Sequence, residues 1–428
     1  MSNKIQINSL KLQINNKTSY NFSCDKILKI LSKGEIKLLY EEIFRERPEI
    51  IEYSIQPFCD EKLGFLGSHL KLELIGRTKK SQQIKKQSFF MKIIPYQLPS
   101  QANFIQESQI FAKEIIFFEN IVPELNRNYF GEKWSPICYL IKDDALIFEN
   151  LKEKGFQMIP DKIFDKELMT SALTSIAHLH AASIIAENRL KQSFNIIFPE
   201  AFEENPFDNS VKRLQWFQTA IDFTIYLADK LNLKTENIFH ACRKSCDGFK
   251  PSLTKRNVIS HGDLWGNNLL FNETKNKCVL VDFQLLRYSS LAHDVTQLFY
   301  LCTTREFRQK YEEELIKHYF TVLTCALLEN NAETEIPTWK EINDGVEEQR
   351  LCGIVTAAIF FPTVLMDGKS GAEIFDNPEN YDKYVFHDRK EFVFSIMQKD
   401  PHYARRIKEV VEELVEFAEK LEYLPHPS

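Results

Sequence analysis

The chain has 428 residues, a formal net charge of −6 at pH 7 and a pI near 6.0. Its 44% hydrophobic and 27% charged residues are typical of a soluble globular protein, and its length predicts two lobes or domains. The acidic balance argues against nucleic acid or an anionic membrane as the main partner, because both usually select a basic surface. No apolar run approaches the ~20 residues that a membrane-spanning helix needs.

The nine cysteines are scattered without the close pairs of zinc sites, and the chain opens Met-Ser-Asn-Lys-Ile-Gln without an apolar signal-peptide core. These features predict reduced thiols and a cytoplasmic location. Residues 1–22 are polar and rich in Asn and Lys, and we assign them as a leader without a role. The sequence leaves the oligomeric state open.

The first predicted elements form a small lobe. Residues 25–45 carry apolar residues at helical spacing and are expected to cover this lobe. Gly64 and Gly67 precede Ser68 and a strict apolar alternation over residues 70–75, which predicts a turn leading into a strand. Glycines in such a turn let backbone N–H groups approach a phosphate closely, although a plain hairpin turn explains the same pattern.

Lys92 is the one charge inside the next apolar strand pattern. A lysine there costs desolvation free energy unless an anionic group pairs with it, so we expect it to contact a nucleotide phosphate. Residues 111–122 predict a helix that ends before Pro123. This helix offers Glu114 and Glu119 as carboxylate partners for Lys92, with Glu114 preferred; the alternative is that Glu114 only solvates its helix.

An apolar strand pattern at residues 145–151 leads into a polar connector at 152–156, and the chain then becomes mainly helical. His178 and His180 are two positions apart, so they point to different sides of their helix and do not form a metal site. An aromatic-rich helical stretch follows, which either lines an acceptor cleft or forms ordinary core. Its aromatic residues are Phe202, Phe207, Trp216, Phe217, Phe223 and Tyr226.

The strongest chemical signal lies in residues 258–271 and 279–284. It consists of Asp263, Asn268 five positions later, and Asp282 between two apolar runs. In phosphoryl transfer one Asp can orient and deprotonate the attacking hydroxyl, while an Asn and a second Asp hold the divalent metal that bridges the nucleotide phosphates. This spacing therefore predicts a kinase.

The local structure explains how these side chains can meet. Residues 269–271 and 278–281 predict two strands joined by a polar turn, so a hairpin returns the chain to the loop that it left. The competing interpretation is a tight turn at His261 and an ordinary polar strand end at Asp282. The complete string is much less probable by chance than either part alone, so we favour the phosphotransferase.

The string His261-Gly-Asp-Leu-Trp-Gly-Asn-Asn268, followed by Val281-Asp-Phe-Gln284, resembles the signature of the ecdysteroid kinase-like family, also called choline-kinase-like small-molecule kinases. The resemblance runs from about residue 57 to near the C-terminus. It implies the bilobal protein-kinase-like fold, of class α+β, which aminoglycoside phosphotransferases and choline kinases share. The expected parts are an N-lobe with an antiparallel β-sheet and one key helix (23–148), a hinge (149–155) and a mainly helical C-lobe (156–428).

The resemblance also implies roles for single residues. Asp263 would be the catalytic base, and Asn268 and Asp282 would hold Mg²⁺. At the hinge, Glu149 and Leu151 would contact adenine through backbone groups, so their side chains need not matter for this contact. The ATP-binding residues implied are Gly64, Gly67, Ser68, Lys92, Glu114, Glu149 and Leu151.

Departures from the protein-kinase pattern point to a small-molecule acceptor. Gly262 follows the histidine where protein kinases have Arg, Gln284 stands where they have Gly, and no Ala-Pro-Glu string ends an activation loop. The resemblance implies an apolar acceptor hydroxyl, as in an ecdysteroid or other steroid, a phenol or an alcohol. The alternatives are a choline or amino-alcohol kinase and a catalytically silent nucleotide-binding protein.

Three further residues have expected supporting positions. His180 is expected in the core behind the catalytic loop, and Asp294 is expected to hold that loop by hydrogen bonds. Arg287 is expected near the phosphates or the acceptor. The silent alternative is disfavoured because all four chemical positions carry competent residues; these are Lys92, Asp263, Asn268 and Asp282.

Overall fold

The computed structural model describes residues 31–44, 48–59, 66–78, 83–202, 211–330 and 333–427. The predicted leader and Gly64 of the predicted phosphate-binding turn lie outside these ranges. The predicted helical cover of the small lobe corresponds to helix α1 (Lys33–Phe44).

The small lobe is built on one five-stranded sheet in which every neighbouring pair is antiparallel. The alternating leucines of the second strand, Leu70, Leu72 and Leu74, are buried on one face of this sheet, where Ile36 and Leu39 of α1 also pack. In spatial order the strands are β1 (Pro48–Pro57), β2 (Ser68–Thr78), β3 (Ile84–Ile93), β5 (Ala145–Glu149) and β4 (Cys138–Lys142).

A helical connection links β3 to β4, and it corrects one expectation. Helices α2 (Pro99–Glu107) and α3 (Ile110–Ile116) are followed by a π-helical turn (Phe117–Ile121) and by α4 (Val122–Asn126). The prediction that the helix ends before Pro123 is therefore wrong. Proline is tolerated in the first turn of a helix, and the wider π turn starts a new helical segment there.

Strand β5 runs into a 3₁₀ turn (Leu151–Lys154), which leads into the large helical lobe. This lobe contains two small sheets. Its helices are α5 (Lys166–Leu190), α6 (Phe194–Ile197), α7 (Val211–Lys230), α8 (Ile238–Ser245), α9 (Ala292–Cys302), α10 (Arg305–Glu329), α11 (Trp339–Val364), α12 (Gly368–Phe375), α13 (Pro378–Asp382), α14 (Lys390–Lys399) and α15 (Pro401–Glu419).

The two small sheets frame the chemical motif. In the first, β6 (Phe156–Gln157) pairs with β8 (Leu269–Asn272), which pairs with β9 (Cys278–Leu280); in the second, β7 (Asn257–Ser260) pairs with β10 (Arg287–Ser290). All of these pairs are antiparallel. The β8–β9 hairpin confirms the predicted return of the chain.

Two hydrophobic cores meet at β5. Ile147 belongs to the smaller core between the sheet and α1, whereas Leu146 and Phe148 belong to the larger core with α3 and the helical lobe. Successive residues of a strand face opposite sides of a sheet, so β5 contributes to both cores. Residues at the C-terminal end of β5 therefore lie where the lobes join.

One described helix, α5, is long and apolar enough to cross a membrane, and the bent pair of α11 and α12 passes the same test as one span. Such helices are weak evidence, because a core helix passes as well, and 83% of the apolar window of α5 is buried inside the protein. The expectation that no segment crosses a membrane stays a prediction.

Candidate active site

Strand β3 places Lys92 at the centre of a buried polar cluster. Its Nζ lies 2.5 Å from Glu114 Oε2, 2.6 Å from Asp282 Oδ1 and 3.2 Å from Gln284 Oε1. Burial lowers the pKa of Lys92, but the Asp282 and Glu114 carboxylates outweigh burial and raise it above its usual value. Lys92 is therefore a fixed cation that is held from both lobes.

Glu114 is the carboxylate partner of Lys92. It is buried on α3, and its other oxygen accepts a hydrogen bond from the Phe283 N–H at 3.1 Å. Glu119, the other candidate, lies in the π-helical turn and is exposed. The choice that the sequence left open is settled by this geometry.

The described part of the glycine turn lies next to Lys92. Gly67 has φ +95°, in the left-handed region that favours glycine, and a Cβ built there would lie 3.8 Å from Lys92 Cε. The Ser68 hydroxyl accepts a hydrogen bond of 2.9 Å from Gln97 Nε2. The turn thus approaches Lys92 closely, as expected of a turn that covers phosphates.

The loop that carries Asp263 is held by helix α9. Asp294 accepts hydrogen bonds from the N–H groups of His261 (2.7 Å) and Gly262 (3.0 Å). One turn later on the same helix, Gln297 Oε1 accepts from the Leu264 N–H at 2.9 Å. The expectation that Asp294 holds the loop is confirmed by these bonds.

Two buried histidines support this arrangement. His261 Nε2 donates to the Val281 carbonyl (2.9 Å) and Nδ1 accepts from the Asp263 N–H (3.3 Å), the pattern of a neutral ring, and burial lowers its pKa. His180 Nε2 lies 3.3 Å from Asp294 Oδ2. Burial raises the pKa of Asp294, but hydrogen bonding and charge from His180 outweigh it and bring the value to about 2.

Asp263 and Asn268 are in direct contact. Asn268 Nδ2 donates to the main-chain oxygen of Asp263 (2.8 Å) and to its carboxylate Oδ2 (3.0 Å). Burial, and next the negative charge of Asp282, raise the pKa of Asp263 to about 7. A carboxylate with such a pKa is well matched to proton transfer near neutral pH.

The hairpin brings Asp282 to the same place. The Val281 N–H donates to the Asn268 carbonyl at 3.0 Å, so the residue before Asp282 is tied to the loop that carries Asn268. Asp282 has φ +69°, a conformation that few residues other than Gly, Asn and Asp adopt. Lys92 joins this group through its bond to Asp282.

The donor set fits Mg²⁺. The amide nitrogen of Asn268 is hydrogen-bonded to Asp263, so the amide oxygen of Asn268 is not needed for these bonds and could bind a metal ion. Asp282 adds a carboxylate. Within the described ranges no group of three or more His, Cys, Asp or Glu side chains could hold a metal alone. Mg²⁺ commonly binds one or two protein oxygens together with phosphates and water, so Asn268 and Asp282 would suffice as its protein ligands.

The Glu149 side chain makes contacts that were not predicted. It is buried and forms ion pairs with Lys133 and Lys154, and it accepts a hydrogen bond of 2.7 Å from the Ile137 N–H. Its charge is compensated, and although burial raises its pKa, the two lysines lower it below the usual value. Leu151 begins the 3₁₀ turn that follows. The backbone contact of the hinge with adenine stays a prediction.

The aromatic stretch is largely core. Phe217 and Phe223 are buried. Trp216, only partly buried, contacts Phe360 of α11 at 5.5 Å between ring centroids, and Tyr226 contacts Phe394 of α14 at 5.8 Å. Phe207 lies outside the described residues, and Phe202 contacts Tyr288.

Sequence reasoning missed three contacts of the site. Gln284 was given no role, yet it bonds Lys92, and Gln297 was not singled out. Arg287 is buried and donates to the Gly262 carbonyl, a contact that was not predicted, and its expected place near the phosphates or the acceptor stays a prediction. Of these residues, only Gln297 could have been predicted from the sequence to contact the loop, because it lies three positions after Asp294 on the same helix face.

Comparison with known proteins points to one family. The model of the ecdysteroid kinase-like family matches residues 64–331, more than half of the chain. The comparison with curated protein sequences gives no match.

Several solved structures are similar to this chain at low identity. A macrolide 2'-phosphotransferase type I is 14% identical (TM-score 0.37), with 83% of this chain and 97% of that chain covered. A Plasmodium vivax ethanolamine kinase is 9% identical (TM-score 0.39; 87% and 99% covered), and APH(2")-IIa in complex with gentamicin is 13% identical (TM-score 0.39; 87% and 98% covered). Sequence identities and TM-scores this low give no information about the activity of this chain.

Proposed function

Because this chain belongs to the ecdysteroid kinase-like family, we propose that it is an ATP- and Mg²⁺-dependent kinase that phosphorylates a hydroxyl of a small, apolar acceptor. Acceptors of this class are ecdysteroids and other steroids, phenols and alcohols. The observation that carries the proposal is that Lys92 bonds Asp282 and Asn268 bonds Asp263, with the two pairs joined by the hydrogen bond from the Val281 N–H to the Asn268 carbonyl. These are the residue types and contacts that phosphoryl transfer requires.

In the proposed reaction Asp263 orients the acceptor hydroxyl and takes its proton. A bond forms between the acceptor oxygen and the γ-phosphorus as the bond to the β–γ bridging oxygen breaks, and ADP leaves. Lys92 holds the phosphates, and its own position is fixed by Glu114. When bound by Asn268 and Asp282, Mg²⁺ supplies charge neutralisation at the phosphates. Most of the rate enhancement then comes from placement and electrostatics.

The apolar acceptor is supported by family membership. A choline or amino-alcohol acceptor is the alternative within the same chemistry. It would need an aromatic cage with acidic groups around the cation. The two classes differ in charge, so a panel of acceptors separates them.

A catalytically silent nucleotide-binding protein is the second candidate. It is disfavoured because Lys92 and Asp263 lie in buried, fully connected hydrogen-bond networks with the partners that the chemistry needs. Both candidates predict that ATP with Mg²⁺ stabilises the folded protein, by about 2.7 kcal/mol at a ligand concentration of 100 Kd. Only the kinase predicts a phosphorylated product.

The test is incubation of the protein with Mg·ATP and, in separate reactions, ecdysone, a simple phenol, an aliphatic alcohol, choline and ethanolamine. Products are detected by mass spectrometry as phosphate monoesters. A product from the steroid, phenol or alcohol supports the proposal, and a product from choline or ethanolamine alone would replace the acceptor class. Mg²⁺-dependent stabilisation by ATP without any product would favour the silent alternative.

A further inference from the structure

The carbonyl oxygen of Gly262, the residue before the proposed base, accepts two hydrogen bonds from buried side chains. Arg287 Nη1 donates to it at 2.9 Å and Gln297 Nε2 donates at 3.1 Å. Gln297 also accepts from the Leu264 N–H, on the other side of Asp263. The proposed base is therefore bracketed by side chains that do not belong to its own loop.

The guanidinium of Arg287 is held in a fixed orientation. It extends from strand β10, is 4% exposed, and lays its guanidinium over the Phe249 ring with 4.1 Å between the guanidinium carbon and the ring centroid. Stacking on an aromatic face fixes the plane of a guanidinium and so the direction of its N–H groups. One of those groups is aimed at the Gly262 carbonyl.

The bond acts on Asp263 through covalent geometry. The Gly262 C=O and the Asp263 N–H belong to one planar peptide unit, so fixing both ends fixes the plane. Arg287 and Gln297 hold the carbonyl end, and His261 Nδ1 accepts from the N–H end at 3.3 Å. The orientation of this plane sets the direction in which the Asp263 side chain leaves the backbone.

The backbone here needs such support. Gly262 has φ +74°, and a Cβ built on it would lie 2.1 Å from the Leu285 carbonyl oxygen. Glycine has access to more backbone conformations than any other residue, so the turn alone does not select this one. The hydrogen bonds from Arg287 and Gln297 to the Gly262 carbonyl favour this conformation.

We propose that Arg287 is a positioning residue for phosphoryl transfer, which fixes the Gly262–Asp263 peptide and thereby aims the Asp263 carboxylate. The inference rests on the proposed function for its kinetic consequence. Its structural consequence, an ordered loop, is independent of that function. Arg287 itself contacts the main chain of the loop and has no assigned contact with nucleotide or acceptor.

The test uses Arg287→Met, which keeps much of the side-chain volume without the donors, and Arg287→Lys, which keeps a donor and the charge. Arg406 provides a matched control. It is 2% exposed, donates from Nη1 to the Thr303 carbonyl at 2.9 Å, and lies over the Phe361 ring at 4.9 Å. Thr303 follows the opposite end of α9 from Asp294, so Arg406→Met removes a similar bond that does not involve the Gly262–Asp263 peptide.

Two readouts are compared in the full-length protein. Hydrogen exchange of the peptide that contains residues 261–264 reports on the loop, and steady-state kinetics with Mg·ATP and the acceptor found in the panel separates kcat from the KM for ATP. We expect Arg287→Met to exchange faster in this peptide and to lose kcat by about 10- to 100-fold, with the KM for ATP changed less than about threefold. Arg287→Lys should recover much of kcat, and Arg406→Met should change neither readout.

Unchanged exchange in Arg287→Met, or equal kcat losses in Arg287→Met and Arg406→Met, would overturn the inference. If the wild-type protein phosphorylates no acceptor, the proposed function fails. Hydrogen exchange of the 261–264 peptide still tests whether Arg287 orders the loop. Faster exchange confined to Arg287→Met then supports the positioning of the loop. A folded Arg287→Met variant with wild-type kcat contradicts the kinetic role directly.

Discussion

Lys92 illustrates how much one side chain can be constrained. An ammonium group has three N–H donors, and Lys92 has three bonded partners in Glu114, Asp282 and Gln284. The Glu114 side chain is 1% exposed, whereas that of Asp282 is 24% exposed. A phosphate that binds Lys92 must take over a donor, and of the two carboxylates the more exposed Asp282 is better able to release it. Glu114 then keeps Lys92 in place.

This assignment predicts a clear difference between two glutamates of the same helical connection. Glu114→Gln removes the buried carboxylate from Lys92 while Asp282 still compensates the lysine charge. The variant should therefore lose about 2 kcal/mol in free energy of unfolding, the contribution of a hydrogen bond to a charged group. The KM for ATP should also rise. Glu119→Gln, at an exposed position, should change neither quantity. Thermal denaturation and steady-state kinetics measure both, and equal behaviour of the two variants would contradict the pairing.

A second prediction concerns acid stability. His293 is buried, and burial, with the nearby charge of Arg287, lowers its pKa from 6.5 to about 4. Between these values the unfolded chain binds a proton at this histidine and the folded chain does not. The free energy of unfolding should therefore fall as the pH drops from 6.5 to 4, with His293 contributing up to about 3 kcal/mol.

Denaturant titrations across this pH range test the contribution of His293. The variant His293→Gln should show a flatter dependence on pH than the wild type, while replacement of the exposed His402 by Gln should leave the wild-type slope. The same slope in His293→Gln and the wild type would show that His293 does not couple protonation to folding.

At the scale of elements, the turn at Gly262 and the hinge turn at Gly155 form a natural comparison. Both glycines have left-handed backbones, with φ +74° and +79°. A Cβ at Gly262 would lie 2.1 Å from a carbonyl oxygen, whereas at Gly155 nothing lies within 4 Å. The two positions therefore share a conformational cost and differ in steric cost.

Replacement by alanine should separate the two costs. Gly155→Ala should lower the free energy of unfolding by about 1 kcal/mol, the cost of a left-handed residue, and leave kcat unchanged. Gly262→Ala must also displace backbone next to Asp263, so it should lose considerably more stability and most of its activity. Similar stabilities and activities of the two variants would show that the loop can adjust around a side chain at Gly262.

The elements that were predicted correctly have strong local signals. The leucine alternation of β2 and the β8–β9 hairpin follow from residue periodicity and turn residues, and together with the resemblance they placed Lys92, Asp263 and Asp282 in one site. The π-helical turn after α3 was missed because a change of helical pitch leaves the apolar spacing nearly unaltered. Proline after it looked like an end signal.

Contacts between distant segments were the other source of error. The ion pair of Glu149 with Lys133 joins residues 16 positions apart, and the bond from Arg287 to Gly262 depends on the pairing of β7 with β10. No local pattern encodes these partners, since they are chosen by tertiary packing. The aromatic residues around Trp216 were ambiguous for the same reason, because only the fold reveals that they pack on α11 and α14.

At the scale of the whole molecule, the site forms where the two cores adjoin. Lys92 comes from the sheet of the small lobe, Glu114 from the helical connection, and Asp263, Asn268 and Asp282 from the large lobe. Stacking of Phe117 on Phe283, with ring centroids 4.4 Å apart, packs the connection against the segment that carries Asp282. Lys92, which we propose holds the phosphates, and Asp263, which we propose accepts the proton, thus come from different lobes.

We propose that this assembled site transfers a phosphoryl group with Asp263 as the base. The most direct measurement is the rate of formation of the phosphorylated acceptor by the wild type and by Asp263→Asn at saturating Mg·ATP, with the Kd for ATP measured in parallel. Asparagine can still accept the hydrogen bond from Asn268, so the variant should fold and bind ATP as the wild type does. If Asp263 is the base, the rate of Asp263→Asn should be lower by about 10²- to 10⁴-fold, with an unchanged Kd for ATP. A wild-type rate in Asp263→Asn would show that Asp263 is not the base.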